Sequence, residues 1–244
     1  MRAVGTQNAW FSFAGHRNDE FDVRMLSMPT RPHPARKGKL VNVPGVDGKL
    51  WQDEGAYDRI VVSLRCITGD NGNIDAVNGW LTGSGDLIFG DEPDRAYHAR
   101  VTKEFSRSNR SPRLRGQEFT IAFDCEPFRY NANPDADTKT LTTGDFVENP
   151  SVIPSKPLLR VNGNGAGTLI LGGSTLVFRS ITGHVYIDCD AKIAYTGEGT
   201  TSDPIVLVTQ NVTGEWPVLQ PGYNYATCTE GIASVTVVPR WRWV

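Results

Sequence analysis

The sequence predicts a mainly β, two-domain protein, and three observations predict it. Apolar and polar residues alternate with a period of two along most of the chain, the signature of half-buried strands. Its 25 glycines and 15 prolines supply the turns that many short strands need. The composition changes abruptly after Cys125, where Glu126–Pro157 carries Pro127, the tract NANPDADTKTLTTGD, Pro150 and Pro154. A stretch of that kind marks a domain boundary. At 244 residues the chain is long enough for two cores, since domains cluster near about 100–150 residues.

Taken in order, the alternation predicts strands at Ala9–Phe13, Val23–Met28, Lys39–Val43, Ile60–Ile67, Leu87–Phe89, Tyr97–Phe105 and Gln117–Cys125. One segment reads as a helix, Asn73–Thr82. There Ile74, Val77 and Leu81 share a face with Trp80 nearby, and Gly83 and Gly85 follow as a stop. Pro44 followed by Gly45-Val46-Asp47-Gly48 reads as a hairpin turn. Beyond the boundary come Leu158–Val161, Gly167–Leu171, Ser174–Arg179, His184–Asp188, Lys192–Tyr195, Ile205–Val208 and Ser234–Val238, with glycine-bearing turns between them and no helix. That regular series predicts an antiparallel β-sandwich.

Charge and composition narrow the function classes. A net charge of −2 gives no whole-chain field to attract nucleic acid or an anionic membrane. The opening MRAVGTQNAWFSFAG lacks a secretory pattern, and no stretch approaches the roughly 18 apolar residues of a membrane span. A soluble protein of cytoplasmic synthesis is expected. Cys66 and Cys125 fall on apolar faces of alternating runs and read as small core residues. Cys189 and Cys228 could meet across a sheet, but cytoplasmic synthesis favours free thiols.

No catalytic pattern stands out: the sequence has no G-x-S-x-G elbow, no H-E-x-x-H, no phosphate-cradling loop and no dinucleotide fingerprint. The four histidines, His16, His33, His98 and His184, lack a Cys or Asp at ligand spacing. A non-enzymatic protein with no cofactor and no bound metal is expected. Asp91-Glu92-Pro93-Asp94 could offer oxygen ligands to a cation. The favoured reading is a turn, with Pro93 fixing φ in a tight connection.

Two basic segments could make contacts. The first is an extended arm or long loop, MPTRPHPARKG, whose prolines forbid helix and central strand and whose cations are Arg31, Arg36, Lys37 and Lys39. The second runs from Arg95 to Arg115 and includes Arg107, Arg110 and Arg113. It has few aromatics for gripping single-stranded nucleic acid, so a subunit contact is expected of both segments, with a plain solvated loop as the alternative.

Several phrases, taken in order, carry a resemblance. They are FSFAG, VNVPGVDGKLWQDEGAYD, IVVSLRC, NGWLTGSGDLIFGDEPDRAYHARV, FTIAFDCEPFRY, KPLLRVNGNGAGTLILGG and the closing GEWPVLQPGYNYATCTEGIASVTVVPRWRW. In this order and spacing the chain resembles the distal tail proteins (Dit) of long-tailed, non-contractile bacteriophages. The resemblance implies a ring-forming, tube-attaching domain at 1–135, a β-sandwich or split-barrel with one helix and a hairpin. It further implies a galectin-like antiparallel β-sandwich at 136–244.

By the same resemblance the chain is a structural virion protein, a baseplate hub at the phage tail tip. Its implied partners are itself, as a homohexameric ring, the tail tube protein, a tail-associated hub protein, the tape measure and receptor-binding proteins. Neither nucleic-acid specificity nor a membrane is implied. A galectin-like domain also raises the alternative of a carbohydrate-binding module for host cell-surface glycans, with Trp216, Trp241 and Trp243 as the candidate glycan or partner platform. In Arg240-Trp241-Arg242-Trp243 the alternation is the pattern of a half-buried final strand, so packing or an interface is the favoured reading over a glycan site.

Overall fold

A computed structural model of the chain describes residues 9–69, 73–101, 107–111 and 114–244, with 107–111 and 114–116 described in backbone only. It divides into two compact units, Met1–Ala132 with Val244, and Asn133–Trp243.

The first unit contains β1 (Phe11–Phe13), β2 (His16–Arg17), β3 (Val23–Met25), β4 (Arg36–Val41), β5 (Leu50–Tyr57), β6 (Ile60–Thr68), helix α1 (Ile74–Trp80), β7 (Ser84–Phe89), β8 (Glu92–Val101), β9 (Arg107–Ser111) and β10 (Leu114–Asn131). Its main sheet is antiparallel in the order β2-β1-β7-β8-β10-β6-β3, with β9 also on β10. The core follows directly from the period-two pattern. Ile60, Val62, Leu64 and Cys66 of β6 face Cys125, Phe123, Ile121 and Phe119 of β10 across the ladder, all buried on one side of the sheet.

The predicted helix forms and ends two residues earlier than expected, at Trp80 instead of Thr82. Asn73 caps it, its side-chain oxygen accepting from the Asp75 and Ala76 backbone N–H groups at 3.0 and 3.4 Å. Val77, Trp80 and Leu81 are buried under it. Trp80 stacks on Phe21, centroids 4.5 Å apart, and donates Nε1–H to the Phe13 carbonyl at 2.9 Å. A buried indole needs such an acceptor, and this one fixes the helix to β1.

The strands β4 and β5 form a separate two-stranded sheet joined by the Pro44–Gly48 turn. The strand thus begins at Arg36, inside the segment expected to be a plain arm, because Pro34 is the last proline before it. Gly38 is required there: any side chain at that position would run into the Trp51 ring lying over it. The base of the hairpin is held by Tyr57 packing edge-on against Phe128 of β10, centroids 5.4 Å apart.

The second unit contains β11 (Lys139–Leu141), β12 (Phe146–Asn149), β13 (Leu158–Leu171), β14 (Ser174–Asp188), β15 (Ile193–Thr196), β16 (Val206–Leu207), β17 (Val212–Gly214), β18 (Gly222–Cys228), β19 (Ile232–Val238) and β20 (Arg242–Trp243). The sequence suggests four separate strands between Leu158 and Asp188, whereas the structure has two long ones paired almost end to end. The early half of β13 pairs with β19 and its late half with β18. A bulge between Gly165 and Gly167 bends the ladder where the partner changes. Gly163 makes the bend feasible, since a Cβ there would strike the carbonyl oxygen of Gly231. The curled sheet encloses one core, including Leu159, Val161, Leu169, Phe178, Ile187, Val235 and Trp241.

All four cysteines are free thiols, Cys189 and Cys228 included. Among the described residues no helix is long and apolar enough to cross a membrane.

Candidate interaction surfaces

Arg31 is folded back onto its own unit. Its Nη2 donates to the Asp91 carboxylate at 2.5 and 2.6 Å and its Nη1 to Glu92 at 2.7 Å. The guanidinium also lies 4.6 Å over the Phe89 ring, with the side chain only 18% exposed. Arg129 donates to the other side of Glu92 at 2.8 Å, and Arg95 pairs with Asp94. The acidic run between Phe89 and Arg95 is therefore occupied by arginines. It sits at the β7–β8 turn, with Glu92 already in the strand, so its carboxylates anchor the proline-rich segment to the end of that strand pair.

The remaining cations of that segment lie on the hairpin. Arg36 is bound within it, donating to Asp53 at 2.7 Å and to the Tyr57 hydroxyl at 3.1 Å. Those bonds raise the arginine's pKa, while Asp53, bonded by Arg36 and the Gly55 N–H, is held below the usual aspartate range. Lys37 stands 3.8 Å from Asp58, and Lys39 is exposed opposite Gln52.

The hairpin is apolar as well as basic. Leu40 and Trp51 face each other on one side, 60% and 49% exposed, and Leu50, opposite Val41 on the other side, is 63% exposed. A lone two-stranded hairpin is marginal in water, and apolar exposure of this kind marks an interaction surface. No sequence motif announces it. Its only trace in the sequence is the adjacent pair Leu50-Trp51 just after the Pro44–Gly48 turn.

The second basic stretch is only partly described. The backbones of Arg107 and Arg110 lie in β9, while Arg113 falls outside the described residues. Nearby, Arg59 and Arg100 share Asp124, at 2.9 and 3.2 Å. Partial burial works to raise that carboxyl's pKa, but the two arginine hydrogen bonds outweigh it and hold it low. Beside them opens a pocket of about 420 Å³ lined by Arg59, Asp86, His98, Arg100 and Glu126. There His98 Nδ1 meets Asp86 at 2.6 Å and the imidazole stacks on Tyr130 at 4.2 Å.

In the second unit the three tryptophans separate. Trp241 is 5% exposed and belongs to the core, and Trp216 and Trp243 pack half-buried against it. Only Arg242–Trp243 of the closing residues is strand, because Arg240 takes a left-handed backbone with φ 51°. The open aromatic surface lies elsewhere. Phe146, Tyr223 and Tyr225 cluster on β12 and β18, ring centroids 5.0 and 5.7 Å from Phe146, with both tyrosines about 60% exposed.

Neither a protein-family model nor a curated protein matches the chain. The fold does find a counterpart. The solved structure it matches is that of SPP1 Dit (gp 19.1), described as a paradigm of the hub adsorption apparatus in phages infecting Gram-positive bacteria. The match covers 96% of this chain and 99% of that one, with a TM-score of 0.66 and 16% identity. At that identity the likeness is one of fold.

Proposed function

We propose that this chain is a structural hub protein of a phage tail tip, working through interface geometry and without catalysis. The observation behind the reading is the Dit fold running through almost the whole of both chains. On this reading residues 1–135 close a homohexameric ring and attach it to the tail tube, and residues 136–244 offer surfaces to the adhesion apparatus. The virion tail is then its location.

The hairpin supports the first assignment. It exposes Leu40 and Trp51 on one face and Leu50 with Lys39 on the other, apolar and charged groups on both faces of one hairpin, which suits a protein contact. A second copy covering it in a head-to-tail ring would bury what the single chain leaves open. Arg107, Arg110 and Arg113, the cations of the second basic stretch, are assigned to subunit or tube contacts as well. In the second unit the Phe146, Tyr223 and Tyr225 cluster is assigned to partner contacts, as are the half-buried Trp216 and Trp243.

The test is native mass spectrometry with negative-stain imaging of the full chain, alone and with the tail tube protein. Rings are expected from the wild type, and folded monomers from the double variant Leu40→Ser, Trp51→Ser. Wild-type monomers that neither assemble nor bind the tube protein would remove the proposal.

A further inference from the structure

The last strand of the second unit's main sheet has the sequence of an interior one. In the order β11-β19-β13-β14-β15-β16, β16 stands at the end. The run Ile205-Val206-Leu207-Val208 is apolar at every position, the pattern of a strand covered on both faces. Instead Ile205, Val206 and Leu207 are 57%, 53% and 59% exposed. The opposite edge of the sheet is built differently. There β11 exposes Lys139 and Thr140 and buries Leu141, and a lysine on an edge discourages further pairing. No charge guards β16 in this way.

The ladder fixes which way the backbone of β16 points. Val208 donates its N–H to the Ala194 carbonyl at 2.8 Å. Val206, two residues earlier and opposite Thr196, has the same orientation, so Leu207 between them turns its N–H and C=O away from β15. The Leu207 side chain lies opposite Tyr195, which stacks on Tyr186 with centroids 5.2 Å apart, and Val206 projects to the other face. Charge marks one end of this edge. Within residues 196–211 the only charged side chains are Glu198 and Asp203, both exposed in the turn that leads from β15 into β16. Asp203 accepts the Glu198 N–H at 3.0 Å, and Glu198 accepts the Tyr186 hydroxyl at 2.8 Å. Arg160 Nη2 and His184 Nε2 stand 3.9 and 3.7 Å from Glu198, beyond hydrogen-bond length.

We propose that the open edge of β16 takes up an extended strand of a partner protein, apolar at alternate positions and carrying a lysine or arginine at the end that meets Asp203 and Glu198. Main-chain hydrogen bonds to Leu207 supply the attachment, the mode of strand addition to an exposed sheet edge. The partner's side chains cover Leu207 and Tyr195 on one face and Val206 on the other, taking from water the apolar surface that the single chain leaves open. A helix in this place would leave the Leu207 N–H and C=O unpaired under its cover. An acidic strand would meet like charge at the turn. A second copy of this edge brings no counter-charge, since residues 196–211 contain no cation. The inference takes the partner contact assigned to residues 136–244 one step further, and rests on that reading only for where the partner is met.

The probe is a fluorescent synthetic peptide of alternating valine and threonine with a lysine at each end, titrated with the full-length chain and followed by anisotropy. Saturable binding is expected, with amide hydrogen exchange slowed at Leu207. Affinity should fall about tenfold or more in Leu207→Pro, which removes the outward N–H and leaves Val206 to pair with Thr196. The same fall is expected, on the unaltered chain, for the peptide with glutamate ends and for the peptide N-methylated along its length. An unchanged unfolding transition shows that the proline variant is folded. The hairpin double variant Leu40→Ser, Trp51→Ser should bind the peptide as the wild type does, so a wild type that binds the peptide yet forms no rings and ignores the tube protein removes the hub role and keeps the edge. The inference is overturned by no binding to the wild type, by equal binding of the N-methylated or glutamate-ended peptide, or by protection mapped to another strand. Dimers of the chain that Leu207→Pro dissolves, with no peptide bound, overturn it in favour of a second copy at this edge.

Discussion

Arg31 and Asp91, 60 residues apart in sequence, are joined by a bidentate ion pair at 2.5 and 2.6 Å, which holds the proline-rich segment to the β7–β8 turn. The arginine is mostly shielded and also serves Glu92. Removing it takes the bidentate donor from Asp91 and leaves Glu92 with Arg129, a larger loss than that of an exposed surface pair. Arg31→Ala is expected to cost about 2 kcal/mol in chemical denaturation and to open the bonds after Ser27 to proteases. A loss below about 0.5 kcal/mol would show that the contact adds no net stability.

Trp80 ties helix, β1 and the Phe21 turn together. Trp80→Ala should cost about 3–5 kcal/mol, the range for emptying a large aromatic site. Trp80→Phe should cost less, since it keeps part of the ring packing on Phe11 and Phe21 but leaves the Phe13 carbonyl without its 2.9 Å donor. Equal losses from the two variants in thermal melts would mean that the hydrogen bond, and not volume, dominates.

Much of this core was legible in the sequence because its signals are local. Alternation in Ile60–Cys66 and Phe119–Cys125 placed each side chain on the correct face, and three apolar residues at helical spacing found α1. Longer-range features were not legible. Nothing in the sequence near Leu158 or Ser174 says that the strands on either side of Gly165 are one, since a bulge preserves pairing while breaking the alternation. Arg31 reads as a contact cation of the arm, because the carboxylates it pairs with lie about 60 residues away in sequence. The aromatic surface of Phe146, Tyr223 and Tyr225 was missed because β12 and β18 are far apart in sequence and meet only through pairing.

Burial separates the cysteines by reactivity. It pushes the Cys66, Cys125 and Cys189 thiols up to about 12, leaving almost no thiolate near neutrality. Cys228 is less buried; its pKa is also raised by desolvation, with a hydrogen bond from Thr143 working the other way. A disulfide-exchange reagent at pH 8 should therefore label Cys228 first, and the other three only on unfolding. Rapid labelling of Cys66 in the native protein would contradict the packing described.

Gly38 offers a way to break the hairpin without touching the main core. In Gly38→Val the new side chain and the Trp51 ring compete for one volume. Since the hairpin packs on the sheet mainly through Tyr57 and Phe128, the unfolding free energy of the unit should change by less than about 1 kcal/mol. Assembly seen by native mass spectrometry should fall sharply. Intact rings from Gly38→Val would take the hairpin out of the contact.

Asp188 makes the second unit's stability depend on pH. Burial acts to raise its carboxyl's pKa, but Arg240 donates to both oxygens, at 3.0 and 3.1 Å, and the Ala191 and Asp190 N–H groups add two more bonds. The net effect is a pKa below the ordinary 3.8. With the folded value depressed, the unfolded chain binds more protons in the window between the two pKa values. The contribution is complete above about pH 4 and is lost as pH falls through that window. Asp188→Asn should remove about 1–3 kcal/mol near neutrality and flatten the acid limb of the stability curve. A variant whose acid limb keeps the wild-type slope would show that other carboxylates govern it.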